Sequence, residues 1–155
     1  MKVSVILSMI AVLISGSVGA QDQAALRKKH FNVQSNLAIN GYDAVAYFKQ
    51  NKAVKGKKDL SVAHQGIVYY FSTVENKEAF KKNPAQYEPQ YGGWCAYAMG
   101  DAGEKVSIDP ETFKVLDGKL YLFYNKFFNN TLKSWNKDES RLKKSADANW
   151  RQTFQ

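Results

Sequence analysis

Residues 113–124, F-K-V-L-D-G-K-L-Y-L-F-Y, constrain the fold more than any other stretch of this chain. Two β-prone runs of alternating character flank the dipeptide Asp117-Gly118. Asp-Gly favours the left-handed backbone that a type I′ turn requires, and such a turn joins two antiparallel strands. The stretch therefore predicts a β-hairpin.

A second hairpin is predicted at residues 61–72, S-V-A-H-Q-G-I-V-Y-Y-F-S, around Gln65-Gly66. Thr73 then suits the N-cap of a helix that carries Phe80 on its inner face. Pro84 ends this helix near Asn83, because the residue before a proline avoids the helical conformation.

The remaining elements are mixed. Residues 44–48, after the turn signal Asn40-Gly41, predict a strand or a tight extended segment. From Lys126 to about Gln152 the pattern predicts two amphipathic helices, broken near residues 136–138. Because strands and helices follow one another without regular alternation, the fold class is α+β: a small domain with β-hairpins and flanking helices.

The N-terminus has the pattern of an export signal. Lys2 precedes an apolar run, Val3 to Ile14, and Val18-Gly19-Ala20 forms a small-residue cleavage site. The run is too short for the roughly 20 residues that span a bilayer, and no later segment resembles a membrane span. We therefore expect residues 1–20 to be a signal peptide, residues 21–35 an arm or short helix, and residues 36–152 the domain of a periplasmic or secreted protein.

The chain is basic, with a formal net charge of +8, or +7 once Lys2 is removed with the signal. Such a charge favours anionic surfaces or acidic partners. Its lysines, however, are scattered in short runs such as Lys28-Lys29 and Lys143-Lys144. This distribution is typical of a solvated surface, so we expect no nucleic-acid partner.

Cys95 is the only cysteine, and it lies in the aromatic segment Y-G-G-W-C-A-Y-A-M-G, residues 91–100. In an oxidising compartment an unpaired cysteine is a free thiol, an intermolecular bridge or a ligand. It is otherwise a small buried hydrophobe. As a soft ligand it suits a transition metal, copper rather than zinc, together with His64, Met99 or His30. Met99 follows Cys95 by four residues, so on a helix the two would share a face.

Enzyme motifs are sparse. The sequence lacks G-x-S-x-G, H-E-x-x-H, a phosphate-binding glycine loop and C-x-x-C. A Cys–His nucleophile would need Cys95 beside His30 or His64, which spacing cannot test. We therefore expect a non-catalytic protein.

Several separated motifs resemble those of the YHS-domain family. They are G-Y-D-A-V-A-Y-F (41–48), Y-Y-F-S-x₃-N-K-E-x-F (69–80) and N-P-x-x-Y-x-P-Q-Y-G-G-W-C-A-Y-A (83–98). The later D-G-K-L-Y-L-F-Y-N (117–125) and A-D-A-N-W (146–150) are similar to its exported bacterial branch. The resemblance runs from about Asn36 to Trp150 and implies a small α+β module that binds metal.

This chain departs from the metal-associated members of that family. Ser72 and Asn76 stand at two positions where those members carry cysteines, and the early segment from Gly41 to Ala46 also lacks one. Two hypotheses follow. One is a copper-handling accessory protein with Cys95, His64 and Met99 as ligands, partnered by a metal ion or a metal-handling protein. The other is a non-catalytic protein- or ligand-binding module in which Cys95 is structurally buried.

Overall fold

The structure is a computed structural model that describes residues 17–153, with side chains from residue 19 onward. The helices in this range are α1 (Ser17–His30), α2 (Ala46–Lys49), α3 (Val74–Lys82), α4 (Pro84–Tyr87), α5 (Ala96–Asp101), α6 (Thr131–Trp135) and α7 (Glu139–Thr153). The strands are β1 (Val33–Gln34), β2 (Leu37–Ala38), β3 (Lys57–His64), β4 (Ile67–Phe71), β5 (Asp109–Leu116), β6 (Lys119–Phe123), β7 (Asn125–Lys126) and β8 (Asn129–Asn130). Helices and small sheets occur together, which confirms the α+β prediction.

The predicted signal peptide falls largely outside the described residues. Its residues 1–16 are not part of the described range, and residues 17–20 form the start of α1. Where the sequence predicted an arm or short helix, α1 continues to His30 and the short strand β1 follows. The buried guanidinium of Arg27 pairs with Glu88, which also accepts a hydrogen bond from Tyr69 at 2.5 Å, so α1 is attached to the domain.

The first sheet has the strand order β1-β2-β4-β3. His64 pairs with Ile67, so the β3–β4 turn is Gln65-Gly66, with φ of 46° and 83°. The predicted hairpin is therefore confirmed. Alternate residues of β4 are buried, which turns one face of this sheet to the core. The helix after it begins as predicted: the Thr73 side chain accepts from the Asn76 amide at 3.1 Å.

The second predicted hairpin is also confirmed. β5 and β6 pair antiparallel with Leu116 opposite Lys119, which leaves Asp117-Gly118 as the turn, with φ of 51° and 69°. Leu120, Tyr121, Leu122 and Phe123 are all buried, because β6 lies between the two parts of the core.

The prediction for residues 126–130 was wrong. These residues belong to a small hairpin, β7–β8, whose turn is Phe127-Phe128. Neither Gly nor Asn occupies that turn, so no turn signal was present in the sequence. The two helices beyond it, α6 and α7, are separated at residues 136–138 as predicted.

The strand or tight extended segment predicted at residues 44–48 was also wrong, because this region contains the start of the short helix α2. The buried carboxylate of Asp43 accepts hydrogen bonds from the amides of Val45 (2.9 Å) and Ala46 (3.2 Å). A carboxylate that binds these first free amides stabilises a helix start. These hydrogen bonds to Asp43 therefore outweigh the β propensity of the residues in this segment.

The buried side chains form two clusters. The first joins the two larger sheets with α2 and α3, and it includes Tyr47, Tyr69, Phe80 and Cys95. The second lies between β6 and the helices α5, α6 and α7, around Met99, Tyr121 and Trp135. Cys95 and Met99 therefore lie in different clusters.

Helix α5 packs closely on α7 at Gly100. A Cβ atom on Gly100 would lie 2.4 Å from the carbonyl oxygen of Leu142, so only glycine fits this helix contact. Three other residues of α5, Tyr97, Ala98 and Asp101, border an open cleft. Among residues 17–153 no helix is both long and apolar enough to cross a membrane.

Candidate functional site

The segment that carries Cys95 is held by backbone geometry and aromatic packing. A tight turn at Gln90–Gly93 contains Tyr91 and Gly92 in the left-handed region, with φ of 55° and 60°. A Cβ atom on Gly92 would lie 2.8 Å from the rings of Phe31 and Trp150. The glycine therefore allows the turn to approach Phe31, directly after α1, and Trp150 of α7.

Cys95 directly precedes α5 and is not part of it. Its backbone is non-helical (φ −58°, ψ 117°), and α5 begins at Ala96. Its amide donates to the Val106 carbonyl at 2.9 Å, and Trp94 beside it donates its indole N–H to the His30 carbonyl at 2.7 Å. Cys95 is thus fixed between β6 and the loop before β5.

The thiol of Cys95 takes part in a closed set of hydrogen bonds. Its Sγ lies 3.3 Å from the hydroxyl of Thr131 and accepts the amide N–H of Tyr124 at 3.4 Å. The Thr131 hydroxyl donates to the Tyr124 carbonyl at 2.9 Å. Because that bond uses the hydroxyl hydrogen, the thiol is the donor to Thr131. The sulfur therefore has two hydrogen-bond partners, and Cys95 is 0% exposed.

An open cleft of about 440 Å³ lies beside this thiol. Its described walls combine aromatic, acidic and polar side chains, with Cys95 at the floor: Tyr97, Tyr124, Asp101, Glu104, Asn129 and Thr131. None of the lining residues among those described is basic, although the chain as a whole is strongly basic. A concave surface that combines aromatic side chains with a few convergent polar groups is typical of a small-ligand site. The two carboxylates favour a ligand that carries a positive charge or a hydrogen-bond donor.

The structure gives the predicted metal ligands different surroundings. His64, at the end of β3, packs edge-on against Phe80 with ring centroids 6.0 Å apart. Met99 is fully buried in the second cluster. The argument from helical spacing fails because Cys95 lies outside the helix. The His30 ring nitrogen lies 3.0 Å from the Lys105 ammonium. Desolvation, together with Lys105 and Lys29, lowers the pKa of His30.

The surroundings of Cys95 do not fit the usual donor set of a copper centre. Within the described part of the chain, its sulfur has a hydroxyl and a backbone amide as hydrogen-bond partners. Copper prefers thiolate, thioether and imidazole donors. The described residues also contain no group of three or more His, Cys, Asp or Glu placed to hold a metal ion. Copper binding at Cys95 stays a prediction.

The two positions that the YHS resemblance associates with cysteines meet at Asp43. One carboxylate oxygen of Asp43 accepts the Ser72 amide (2.8 Å), the Ser72 hydroxyl (2.6 Å) and the Asn76 side-chain amide (2.8 Å). With its two bonds to α2, the Asp43 carboxylate accepts five hydrogen bonds and is 0% exposed. Where the metal-associated members of that family have cysteines, this chain therefore has side chains that hydrogen-bond to Asp43 and connect the start of α2, the end of β4 and α3.

Sequence reasoning missed the other residues of this site. Thr131 and Tyr124 reach Cys95 from 36 and 29 residues away, and no local pattern encodes such contacts. Asp43 had a signal, since a lone carboxylate in the otherwise apolar stretch 41–48 indicates a buried polar role.

Comparisons of this chain with protein-family models, with curated proteins and with solved structures found no match.

Proposed function

We propose that this protein is an exported, non-catalytic binding module that holds a small ligand, or a side chain of a protein partner, in the cleft beside Cys95. The observation that carries the proposal is the cleft itself: two tyrosines and two carboxylates surround an open space above a thiol that is already hydrogen-bonded. The YHS resemblance and the N-terminal export pattern support the assignment as sequence-based expectations.

The buried thiol supports a binding role over a catalytic one. A nucleophilic cysteine is accessible and has a base within hydrogen-bond reach. Cys95 is 0% exposed and is held by Thr131 and Tyr124. The two histidines have other neighbours, Phe80 for His64 and Lys105 for His30.

The cleft chemistry defines the class of ligand. Tyr97 and Tyr124 offer aromatic surface, and Asp101 and Glu104 offer negative charge on the same opening. A cation attached to an apolar body can use both features at once. We therefore expect an aromatic or aliphatic amine, or a lysine or arginine side chain, to bind more tightly than an anion of the same shape.

The test compares three matched probes by two-dimensional amide NMR: phenethylamine, phenylethanol and phenylacetate. We expect phenethylamine to shift the amides of Tyr97, Tyr124 and Asn129, and phenylacetate to have the weakest effect. Ala102→Trp, at the cleft wall, fills the opening and should abolish the shifts. Ala85→Trp, on exposed α4, is the matched control. Equal binding of amine and carboxylate, or shifts mapped to another surface, would contradict the proposal.

Copper handling is the second candidate, because Cys95 is the only thiol and forms the floor of an open cleft. Titration of the protein with Cu(I) and with Cu(II) tests it, with Cys95→Ser as the matched variant. Copper affinity that this substitution leaves unchanged would reject Cys95 as a ligand. If the substitution abolishes copper binding, the metal ion is the occupant of the cleft. The variants His64→Ala and Met99→Leu would then identify the other copper ligands.

A further inference from the structure

The tip of the β7–β8 hairpin exposes two adjacent phenylalanines. Phe127 is 89% exposed and Phe128 is 111% exposed, the highest values among the described large hydrophobic residues. The next most exposed is Val74, at 56%. An adjacent pair of solvated aromatic rings is typical of a surface that contacts an apolar partner.

The same two residues adopt an unfavourable backbone conformation. Their φ angles are 53° and 65°, and Lys126 pairs with Asn129 across the turn, which matches a two-residue type I′ hairpin. The other two-residue hairpins in the described chain use Ser35-Asn36, Gln65-Gly66 and Asp117-Gly118 at the equivalent positions. Those turns contain the Asn or Gly that left-handed backbone favours. Phe127-Phe128 alone among them lacks both.

The hairpin is held firmly at its base. The Asn125 side chain donates to the Thr112 hydroxyl at 3.0 Å, and the Thr131 amide donates to the Tyr124 carbonyl at 3.0 Å. The Asn130 side chain caps α6 by accepting the Leu132 amide at 3.1 Å. The tip therefore presents its two rings from a fixed base, and the rings themselves are not needed to fill the core.

The charge around the tip is mixed. Lys126 lies in β7 beside the turn, and residues 119–137 carry lysines at positions 119, 126, 133 and 137 and no acidic residue, although Lys119 lies at the far end of the β5–β6 hairpin, opposite Leu116. The adjacent β5 contributes Asp109, which accepts from Thr112, and Glu111, which accepts from Tyr42. Asp101 and Glu104 line the neighbouring cleft. The chain without its predicted signal nevertheless has a formal net charge of +7, which favours an anionic surface.

We propose that the Phe127-Phe128 tip inserts into the surface of an anionic lipid bilayer and holds this protein there as a peripheral protein. A protruding pair of rings needs a concave receptor in a protein partner, whereas a bilayer accepts it without shape complementarity. Insertion of apolar side chains and attraction of lysines to anionic headgroups act together in such binding. The proposal is independent of the ligand assigned to the cleft.

The test measures how much of the protein floats with lipid vesicles in a density gradient. It uses the protein in the form that cells export, whose N-terminus is determined by mass spectrometry. The vesicles contain phosphatidylglycerol mixed with phosphatidylcholine, or phosphatidylcholine alone. The key variant is Phe127→Asn/Phe128→Gly, which removes the rings and supplies a favoured type I′ pair. We expect its unfolding temperature to rise while its affinity for the anionic vesicles falls at least about tenfold. Lys126→Gln/Lys133→Gln should weaken binding and reduce its dependence on salt.

Fluorine NMR reports on the tip itself. Protein labelled with para-fluorophenylalanine is mixed with vesicles that contain a spin label in the acyl chain, and single substitutions assign the two tip resonances. We expect both resonances to broaden more than those of the buried Phe71 and Phe80. Tip resonances that stay sharp, or vesicle binding unchanged in the Asn-Gly variant, would overturn the proposal. A concentration-dependent dimer that this variant abolishes, without tip-dependent vesicle binding, would overturn it in favour of a second copy of the chain.

Discussion

The sulfur of Cys95 lies 3.3 Å from the Thr131 hydroxyl, although the two residues are 36 positions apart. This contact joins the start of α5 to the start of α6, and Tyr124 at the end of β6 completes the set of hydrogen bonds. Cys95 is therefore buried at the meeting point of three elements.

Thr131→Val should destabilise the fold by about 1–3 kcal/mol, because it leaves the buried Cys95 sulfur without its hydroxyl partner and removes one of the two hydrogen bonds that Thr131 donates to the Tyr124 carbonyl. Urea unfolding measures the change. Thr153→Val is the matched control, since its hydroxyl bonds only within the last turn of α7. An equal decrease in the free energy of unfolding in both variants would show that the contact at Cys95 has no special role.

The Cys95 thiol should not react in the native protein, because it is 0% exposed and hydrogen-bonded. An aromatic disulfide reagent should modify it only after denaturant is added, and a non-reducing gel should show a monomer. Rapid modification of the native protein, with its metal content measured in parallel, would contradict the buried arrangement.

Asp43→Asn should destabilise the protein by at least about 3 kcal/mol. The carboxylate accepts five hydrogen bonds through its two oxygens, so the amide nitrogen of asparagine would face donors in either orientation. Thermal and urea unfolding measure the effect. Asp59→Asn, on the exposed part of β3, is the control and should change stability little.

Stability should fall as the pH rises through about 10, the ordinary tyrosine pKa. Burial is the main cause that raises the pKa of Tyr47, Tyr69 and Tyr91 well above this value. Above pH 10 these phenols stay neutral in the folded state but ionise in the unfolded chain. Their contribution to the free energy of unfolding is therefore complete below pH 10 and is lost above it. Phenolate absorbance should appear together with unfolding. Tyr47→Phe should reduce the alkaline loss; an unchanged pH profile would exclude Tyr47 as a contributor.

The parts of this fold that the sequence predicted are those with a local physical cause. Asp117-Gly118 and Gln65-Gly66 determine two hairpins because few other residues adopt their backbone conformation easily. Thr73 marks the start of α3 for another local reason, since its side chain accepts the free amide of Asn76. The Phe127-Phe128 turn has the same geometry without the signal, so the sequence pattern was mistaken for a helix.

The site was predicted only in part. Cys95 was singled out because it is unpaired, but its partners Thr131 and Tyr124 reach it through tertiary contacts. The four-residue spacing to Met99 corresponds to a backbone hydrogen bond, from the Met99 amide to the Cys95 carbonyl at 3.0 Å, whereas the two side chains lie in different clusters. Asp43 likewise gains its role from Ser72 and Asn76, which are distant in sequence.

Helix α5 has only six residues, yet it separates the cleft from α7, with Tyr97 on one side and Gly100 against Leu142 on the other. We therefore expect a ligand that orders α5 also to favour the docked position of α7, since both depend on the same helix. Amide hydrogen exchange along α7 should slow when the cleft is filled.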